Sequence, residues 1–252
     1  MRWFDTHCHL DRMPTEVRPE TAAGLAKTVG VERIVVPGVV GLPDRIAELS
    51  VIAGVSLAWG LHPDFIEDGI SFLNVPKPWN NSGFMPVAIG ECGLDRRSRH
   101  SLKEQEKFFA WQLELAAQNS LPVIVHLVGH YQRAYELLAA SGVVVIMHAW
   151  SGSAEMAKRF VTLGAFISIS GGHLRRPKKL EQLLAAIPLS SLLLETDAPD
   201  MVPPFWPGKY NEPAALPQIG AAVAEKAGLP IEKFSEILYN NSVNLFGERK
   251  HG

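Results

Sequence analysis

Short apolar runs alternate with longer amphipathic segments along the chain. Eight apolar runs recur from one end to the other: RWFDTH, IVVPGVV, VSLAWGLHP, VAIGECGLD, PVIVH, VVVIMHAW, AFISIS and SLLLETDAP. Most of their positions are apolar without interruption, whereas a strand with one wet face would alternate apolar and polar residues. Continuous runs of this kind are typical of strands that are buried on both faces of a parallel sheet.

The segments between these runs carry a helical pattern. In residues 101–120 (SLKEQEKFFAWQLELAAQNS) and 153–164 (SAEMAKRFVTLG), apolar residues recur at spacings of three and four. Gly164 stands where the second helix is expected to end. About eight such β-then-α units predict an α/β fold of the (β/α)8 TIM barrel type, as a single domain over residues 1–252. An open doubly wound sheet is the alternative, but no G-x-G-x-x-G follows the first strand.

Composition narrows the class of protein. Hydrophobic residues make up 47% and charged residues 20%, which is ordinary for a soluble globular protein, and no apolar run is long enough to predict a membrane span. The N-terminus has no apolar signal-peptide core, so we expect a cytoplasmic protein. The only two cysteines, Cys8 and Cys92, predict neither a disulfide framework nor a zinc finger. A formal net charge of -2 means that nucleic acid would be bound only through a local basic patch.

Two histidines stand one residue apart at the start of the chain, in FDTHCHLD. Alternate side chains of an extended segment point to the same face, so His7 and His9 can converge on one point while Cys8 faces away. That arrangement suits a metal ion. An isolated H-x-H also fits surface or core histidines, so the rest of the chain has to decide.

Four further apolar runs end in a residue that can bind a metal: Glu91, His126, His148 and Asp197. Taken singly, each has an ordinary structural explanation, as a loop histidine or a helix N-cap. In a barrel, however, all strands open onto one face at their carboxyl ends, and there these four would meet the two N-terminal histidines. Six nitrogen and oxygen donors exceed one tetrahedral site and suit two divalent ions that share a bridging carboxylate.

The ordered motifs FDTHCHLD, GLHPDF, IGECGLD, PVIVH, MHAWSG and LLLETDAPD resemble the TatD family of metal-dependent hydrolases, within the amidohydrolase-like barrels. The resemblance spans the chain and ends in NSVNLFG. It implies that one metal is held by His7, His9, Glu91 and Asp197, and that Glu91 bridges to a second metal held by His126 and His148. It also implies hydrolysis of phosphodiesters, with deoxyribonuclease or exonuclease activity.

One segment departs from the family pattern. After His126 the family often carries a Ser-Arg pair, whereas this chain has Leu127 and Val128. A phosphate contact is therefore missing at this point, which keeps other hydrolytic substrates open.

Two metal ions would lower the pKa of a bridging water and bind the substrate oxygen as Lewis acids. We expect Asp197 and Glu91 to be the catalytic residues, with Asp197 both a metal ligand and the general base that takes the proton of that water. The fourth strand offers Glu91 and no lysine, so the predicted bridge is a plain carboxylate. Imidazole and carboxylate ligands favour zinc or manganese over magnesium.

Two basic segments indicate an anionic substrate. RRSRH supplies Arg96 and Arg97 after the fourth strand, and HLRRPKK supplies Arg175 and Arg176 after the seventh. The helix macrodipole disfavours cations where helices begin, so their clustering there points to anion binding rather than to helix stability. A solvated charged face is the alternative. His62, in GLHPDF, is expected to line the same bowl as a substrate contact.

The leading functional hypothesis is a two-metal phosphodiesterase that acts on nucleic acid or on a small phosphodiester. The alternative is a metal-dependent amide, lactone or small-ester hydrolase, and a non-catalytic, metal-stabilised scaffold is a third interpretation. The sequence gives no indication of oligomeric state.

Overall fold

A ring of parallel strands organises the chain in the computed structural model, which describes residues 1–41, 44–66 and 85–247. The strands are β1 (Trp3–Asp5), β2 (Val31–Val36), β3 (Val40–Gly41), β4 (Val55–Leu57), β5 (Gly60–Leu61), β6 (Ile89–Asp95), β7 (Val123–Val128), β8 (Val145–Met147), β9 (Phe166–Ile169) and β10 (Leu192–Leu194). Each of the eight predicted apolar runs overlaps one of the parallel strands, while β3 and β5 form a separate antiparallel pair.

Strand pairing closes the ring. The order β1-β2-β4 forms one parallel sheet and β6 to β10 form another in sequential order. A parallel bridge between Trp59 and Ile89 joins the two sheets on one side. On the other side, the Thr6 amide donates to the Leu194 carbonyl at 3.2 Å, which connects β1 to β10. The prediction of a (β/α)8 barrel is confirmed.

Helices follow the strands around the outside. They are α1 (Pro19–Thr28), α2 (Ile46–Leu49), α3 (Leu102–Asn119), α4 (Tyr131–Ser141), α5 (Ala154–Thr162), α6 (Pro177–Ala186), α7 (Leu216–Ala227) and α8 (Ile231–Phe246). The two helices predicted from periodicity are α3 and α5. The Ser101 side chain and Glu104 form a capping box at the start of α3, and Ser153 caps α5. Gly164 follows α5 with a φ of +82°, a conformation that glycine adopts without strain.

Two apolar layers hold the barrel. The larger one lies between the strands and the surrounding helices and includes Trp3, Trp59 and Phe109. The smaller one contains one buried residue from each of several strands around the ring, among them Phe4 and Ile124. Residues from opposite strands can contact one another only inside the barrel, so this second cluster fills its interior, as side-chain layers do in this fold.

None of the helices in the described ranges is long and apolar enough to cross a bilayer.

Candidate metal centre and catalytic cleft

All six predicted metal ligands come together at the carboxyl ends of the strands. His7 and His9 follow β1, His148 directly follows β8, and Asp197 lies three residues beyond β10. The other two residues, Glu91 and His126, lie within β6 and β7 rather than at their ends, because both strands continue for several residues past them. The six are polar residues at the mouth of an otherwise apolar barrel, and five of them are buried while His126 is partly buried: His7, His9, Glu91, His126, His148 and Asp197.

Glu91 lies at the centre of this cluster, and its two carboxylate oxygens face different neighbours. Oε2 is 3.4 Å from Nε2 of His7 and 3.5 Å from Nε2 of His9. Oε1 is 2.9 Å from Nδ1 of His126 and 3.5 Å from Nε2 of His148. Each oxygen of the carboxylate therefore has its own pair of histidines, which defines a first group on the Oε2 side and a second group on the Oε1 side. A ring nitrogen of His148 also lies within 4.8 Å of ligand atoms of His7 and Asp197, so the two groups adjoin.

The first group has the dimensions of a tetrahedral metal site. Nε2 of His7 and Nε2 of His9 are 3.1 Å apart, and Oδ1 of Asp197 lies 3.6 Å and 3.8 Å from them. In a tetrahedral zinc site with bonds of 2.0–2.1 Å, neighbouring donor atoms are about 3.3 Å apart. The distances from the two histidine nitrogens to each other, to Asp197 Oδ1 and to Glu91 Oε2 are close to that value, which suits a divalent ion.

Backbone hydrogen bonds fix the residues of the first group. The Asp197 amide donates to the His7 carbonyl at 2.9 Å, and the His9 amide donates to the Ala198 carbonyl at 2.8 Å. Cys8, between the two histidines, is fully buried in the apolar core. Asp197 has a φ of +56°, a left-handed conformation that a non-glycine residue adopts at some cost. The chain is thus held in the shape that presents these side chains together.

The second group is oriented by carboxylates that sequence reasoning missed. Nε2 of His126 donates to Oδ2 of Asp95 at 2.8 Å, so a neutral His126 ring would turn the lone pair of its Nδ1 towards Glu91. Nδ1 of His148 donates to Oε1 of Glu195 at 3.0 Å, so a neutral His148 ring would turn the lone pair of its Nε2 towards Glu91. Carboxylates that fix an imidazole in this way are typical outer partners of metal-binding histidines.

A sequence signal for these two carboxylates was present. Asp95 ends IGECGLD and Glu195 lies in LLLETD, the same segments that supply Glu91 and Asp197. Both are completely buried, and a buried carboxylate needs a partner to offset its lost hydration. A second acidic residue within a short motif, beside a predicted ligand, is therefore a reasonable marker of an outer partner.

His62 lies against the second group, but its ring nitrogen that faces Glu91 carries the proton. The Asp64 amide donates to Nδ1 of His62 at 3.1 Å, so a neutral His62 carries its proton on Nε2. That Nε2 is 3.5 Å from Oε1 of Glu91 and faces the cleft. A protonated ring nitrogen donates hydrogen bonds, whereas the ligand atoms of His62, Glu91 and His126 also lie within 4.8 Å of one another, as in a metal site.

Burial and mutual charge set the ionisation of the cluster. Burial, together with the nearby His148, lowers the pKa of His7 to about 4, so its imidazole is neutral at neutral pH. Burial acts to raise the pKa of Glu91, but His148 and His62 outweigh it and hold that pKa well below its ordinary value. Burial raises the pKa of Asp197 to about 7, although His148 acts in the opposite direction. An ionised carboxylate surrounded by imidazoles is a suitable donor set for a divalent cation.

The cluster forms the floor of an open cleft of about 750 Å³. Arg97 lines this cleft and makes a bidentate contact with Asp95, with Nη2 and Oδ2 2.7 Å apart. Arg12, which the sequence analysis did not single out, lines it as well and has its guanidinium 5.0 Å from the ring centre of Phe65. Leu127 and Val128 also line the cleft, where the family often carries its Ser-Arg pair.

The other three predicted arginines lie outside the lining of this cleft. The side chain of Arg96 packs beside Gly129, at the start of the loop before α4. Arg175 and Arg176 line a smaller neighbouring cavity instead. The basic segments therefore separate into residues that face the metal cluster and residues that face a second space beside it.

Comparison with known proteins places this geometry in a family. Residues 4–247 match the family model described as TatD related DNase. The chain is 34% identical to the uncharacterized metal-dependent hydrolase YjjV of Escherichia coli, over 97% of this chain and 98% of that protein. It is 35% identical to the 3'-5' ssDNA/RNA exonuclease TatD of Klebsiella pneumoniae, over 88% of this chain and 89% of that protein.

Solved structures agree with the sequence matches. The crystal structure of Escherichia coli YjjV superposes with a TM-score of 0.84 and 30% identity, covering 97% of this chain and 98% of that one. A hydrolase TatD family protein from Entamoeba histolytica superposes equally well, at 18% identity, which supports the fold alone. The motifs, the barrel and a near full-length match to both sequence and structure agree, and the chain belongs to the TatD family of metal-dependent hydrolases.

Proposed function

We propose that this protein is a two-metal phosphodiesterase that hydrolyses nucleic acid, with single-stranded ends as its preferred substrates. The observation that carries the proposal is the divided carboxylate of Glu91, whose two oxygens face two separate groups of nitrogen and oxygen donors. Two metal positions that share one carboxylate suit hydrolysis of a phosphodiester, because the attacking and leaving oxygens both need charge stabilisation.

The residues present fit two divalent ions. One position would use His7, His9 and Asp197 with Glu91 Oε2, and the other would use His126 and His148 with Glu91 Oε1. The buried Nδ1 atoms of His7 and His9 lack hydrogen-bond partners among the described residues, so these rings are not committed elsewhere. Zinc or manganese suits this mixture of donors better than magnesium. When bound, the ions supply Lewis acidity and a lowered pKa for water.

The side chains of the cleft have different roles in the reaction at the phosphate. Water attacks phosphorus, the bond from phosphorus to the leaving oxygen breaks, and Asp197 accepts the proton of the attacking water as general base. That proton can then pass to the leaving oxygen. His62, with Nε2 protonated, donates to a phosphate oxygen on the Oε1 side of Glu91, across from Asp197. Arg12 and Arg97 supply the positive charge at the rim of the cleft.

The names of relatives support nucleic acid as the substrate class. A relative from Klebsiella pneumoniae is named a 3'-5' ssDNA/RNA exonuclease, and the matching family model is described as TatD related DNase. The open cleft has room for a strand end, and its rim arginines are the expected contacts to phosphates.

A hydrolase of lactones or small esters is the second candidate, and one observation favours it. Leu127 and Val128 give the cleft an apolar wall where relatives often have a phosphate contact. An apolar wall suits the hydrocarbon part of a small neutral substrate.

Assays on the purified chain distinguish the two candidates. The metal-free protein is loaded with zinc or manganese and tested on single-stranded oligonucleotides, on bis-p-nitrophenyl phosphate and on a panel of lactones. We expect metal-dependent release of nucleotides and hydrolysis of the phosphate ester. Turnover of lactones with no cleavage of either phosphodiester would overturn the proposal in favour of the second candidate.

A further inference from the structure

A second cavity of about 300 Å³ adjoins the catalytic cleft, and we call it the side pocket. The loops after β8 and β9 and the first turns of α6 form it, and its defining residues are Trp150, Ser151, His173, Arg176, Lys179 and Leu183. Its size lies at the lower end of the range of ligand-binding pockets.

The side pocket shares part of its lining with the catalytic cleft. Ala149, Ser151 and Met201 line both spaces. Ala149 directly follows His148, and its amide donates to Oε1 of Glu195 at 2.7 Å, so the shared wall is tied to the second metal group. A molecule with one end at the metal cluster can therefore extend its neighbouring part into the side pocket.

The surfaces of the side pocket are chemically divided. Its floor is apolar and includes Trp150, Leu180 and Leu183, all buried. Its rim carries Arg176 and Lys179. Lys179 is committed, because its Nζ donates to the Ser151 carbonyl at 2.6 Å. The exposed guanidinium of Arg176, by contrast, forms neither a hydrogen bond nor an ion pair with the described residues, so its donors are available.

Internal hydrogen bonds preform the side pocket. Nε2 of His173 donates to the Trp150 carbonyl at 2.8 Å, and the Ser170 amide donates to Nδ1 of the same ring at 3.1 Å. Burial lowers the pKa of His173, so the ring stays neutral in this role. His173 thus ties the loop after β8 to the loop after β9 and is a structural residue rather than a cation for substrate.

We propose that the side pocket binds the base of the nucleotide next to the scissile phosphate, with Arg176 donating to acceptor atoms on the edge of that base. This rests on the proposed phosphodiesterase function. A nucleobase has a flat apolar face and a polar edge, which match an apolar floor and a rim with free donors. A purely hydrocarbon ligand would leave Arg176 without a partner, and a bare phosphate would leave the apolar floor empty.

Two chromogenic substrates test the side pocket on the metal-loaded, full-length protein. Thymidine 5'-(p-nitrophenyl phosphate) and methyl p-nitrophenyl phosphate share a leaving group and differ by the nucleoside. We expect kcat/KM to favour the thymidine ester by on the order of ten-fold or more, the effect of binding one base.

Variants then show whether the preference for the thymidine ester arises in the side pocket. We expect Arg176→Ala to remove most of it, and Ser151→Phe, at an exposed position, to remove it by filling the entrance. Lys178→Ala is the matched control, because Lys178 is an exposed cation two residues after Arg176, in the first turn of α6, and lies outside the lining of the side pocket. Equal preferences in wild type, Arg176→Ala and Ser151→Phe would overturn the proposal, even with both substrates hydrolysed.

Equilibrium binding separates this proposal from the proposed function. By calorimetry, we expect thymidine 5'-monophosphate to bind more tightly than deoxyribose 5-phosphate, and Arg176→Ala to abolish that difference. If neither chromogenic ester were hydrolysed, the phosphodiesterase assignment would fail while this measurement still tested the side pocket. Equal affinities for the two ligands would overturn the side-pocket proposal.

Discussion

The two sides of Glu91 are built differently. On the Oε2 side, His7 and His9 have Nδ1 atoms without hydrogen-bond partners among the described residues, and backbone hydrogen bonds set their positions. On the Oε1 side, carboxylates hold both histidines, Asp95 for His126 and Glu195 for His148.

This difference separates two ways of building a metal site. A backbone-held histidine is placed by strand pairing, so its position depends on the fold. A carboxylate-held histidine is also fixed in its tautomer, and its ring becomes a stronger donor. The Oε1 side should therefore respond to substitutions of outer partners, whereas the Oε2 side should respond only to changes in its own ligands or in Glu91.

The largest effect is expected for the residue that both sides share. Glu91→Ala removes one oxygen from each side, so we expect metal content to fall from about two ions per chain towards none and activity to fall to background. The loss should exceed the roughly 10–100-fold that removal of an outer partner costs. Metal analysis and thermal unfolding should be measured together, with Glu114→Ala, an exposed glutamate of α3, as the control. Two ions retained in the Glu91 variant would contradict a bridging role.

Asp197→Asn affects only the Oε2 side. It keeps the shape and one oxygen ligand but removes the basicity, so we expect kcat to fall by on the order of 10²-fold or more with little change in KM under saturating metal. The control is Glu232→Gln, the same loss of charge at an exposed carboxylate of α8 outside the lining of the cleft, which should keep kcat near wild type. Metal content has to be measured on the same sample. A fully metallated Asp197→Asn protein with wild-type kcat would show that another group accepts the proton.

The outer carboxylates should produce an intermediate effect confined to the Oε1 side. Glu195→Gln and Asp95→Asn keep the volume but weaken the hydrogen bonds that orient His148 and His126, so one of the two ions should bind about 10–100-fold more weakly. Asp11→Asn is the comparison on the Oε2 side, because Asp11 is buried near His9 but accepts from the Asp44 amide instead of an imidazole. Titration with zinc measures both affinities. Equal weakening by all three changes would remove the distinction between the sides.

The barrel and the clustering of the six candidate ligands could be predicted from the sequence for a physical reason. Strands buried on both faces leave continuous apolar runs, and in a barrel the ends of these runs meet at one face, so metal-binding residues that recur at several of the ends are expected to cluster. His148 and Asp197 stand out in this way. The outer partners could not be found by the same reasoning, because the hydrogen bond of Glu195 depends on the direction in which an imidazole turns.

The basic segments show a second limit of sequence reasoning. RRSRH and HLRRPKK look equivalent along the chain, and the sequence predicts contact with an anionic substrate for both. In the structure Arg97 faces the metal cleft, while Arg175 donates to the Val202 carbonyl at 2.8 Å beside the side pocket. Charge alone does not reveal which of two adjoining cavities a loop will line, because that depends on packing between neighbouring loops.

The smallest effect is expected at the rim of the cleft. Substitutions of Arg97 and Arg12 test whether exposed residues also affect the Oε1 side alone. Both line the cleft, so each substitution to glutamine should reduce the salt dependence of oligonucleotide binding by about one phosphate contact. Arg97→Gln should also weaken metal binding slightly, because Arg97 contacts Asp95, the partner of His126. That second effect should be small, since the Arg97 side chain is 67% exposed and the contact is screened by water. Arg12→Gln should leave zinc affinity unchanged, as Arg12 contacts no carboxylate that orients an imidazole. If the two variants shifted zinc affinity equally, the contacts from His126 through Asp95 to Arg97 would not contribute to the zinc affinity of the Oε1 side.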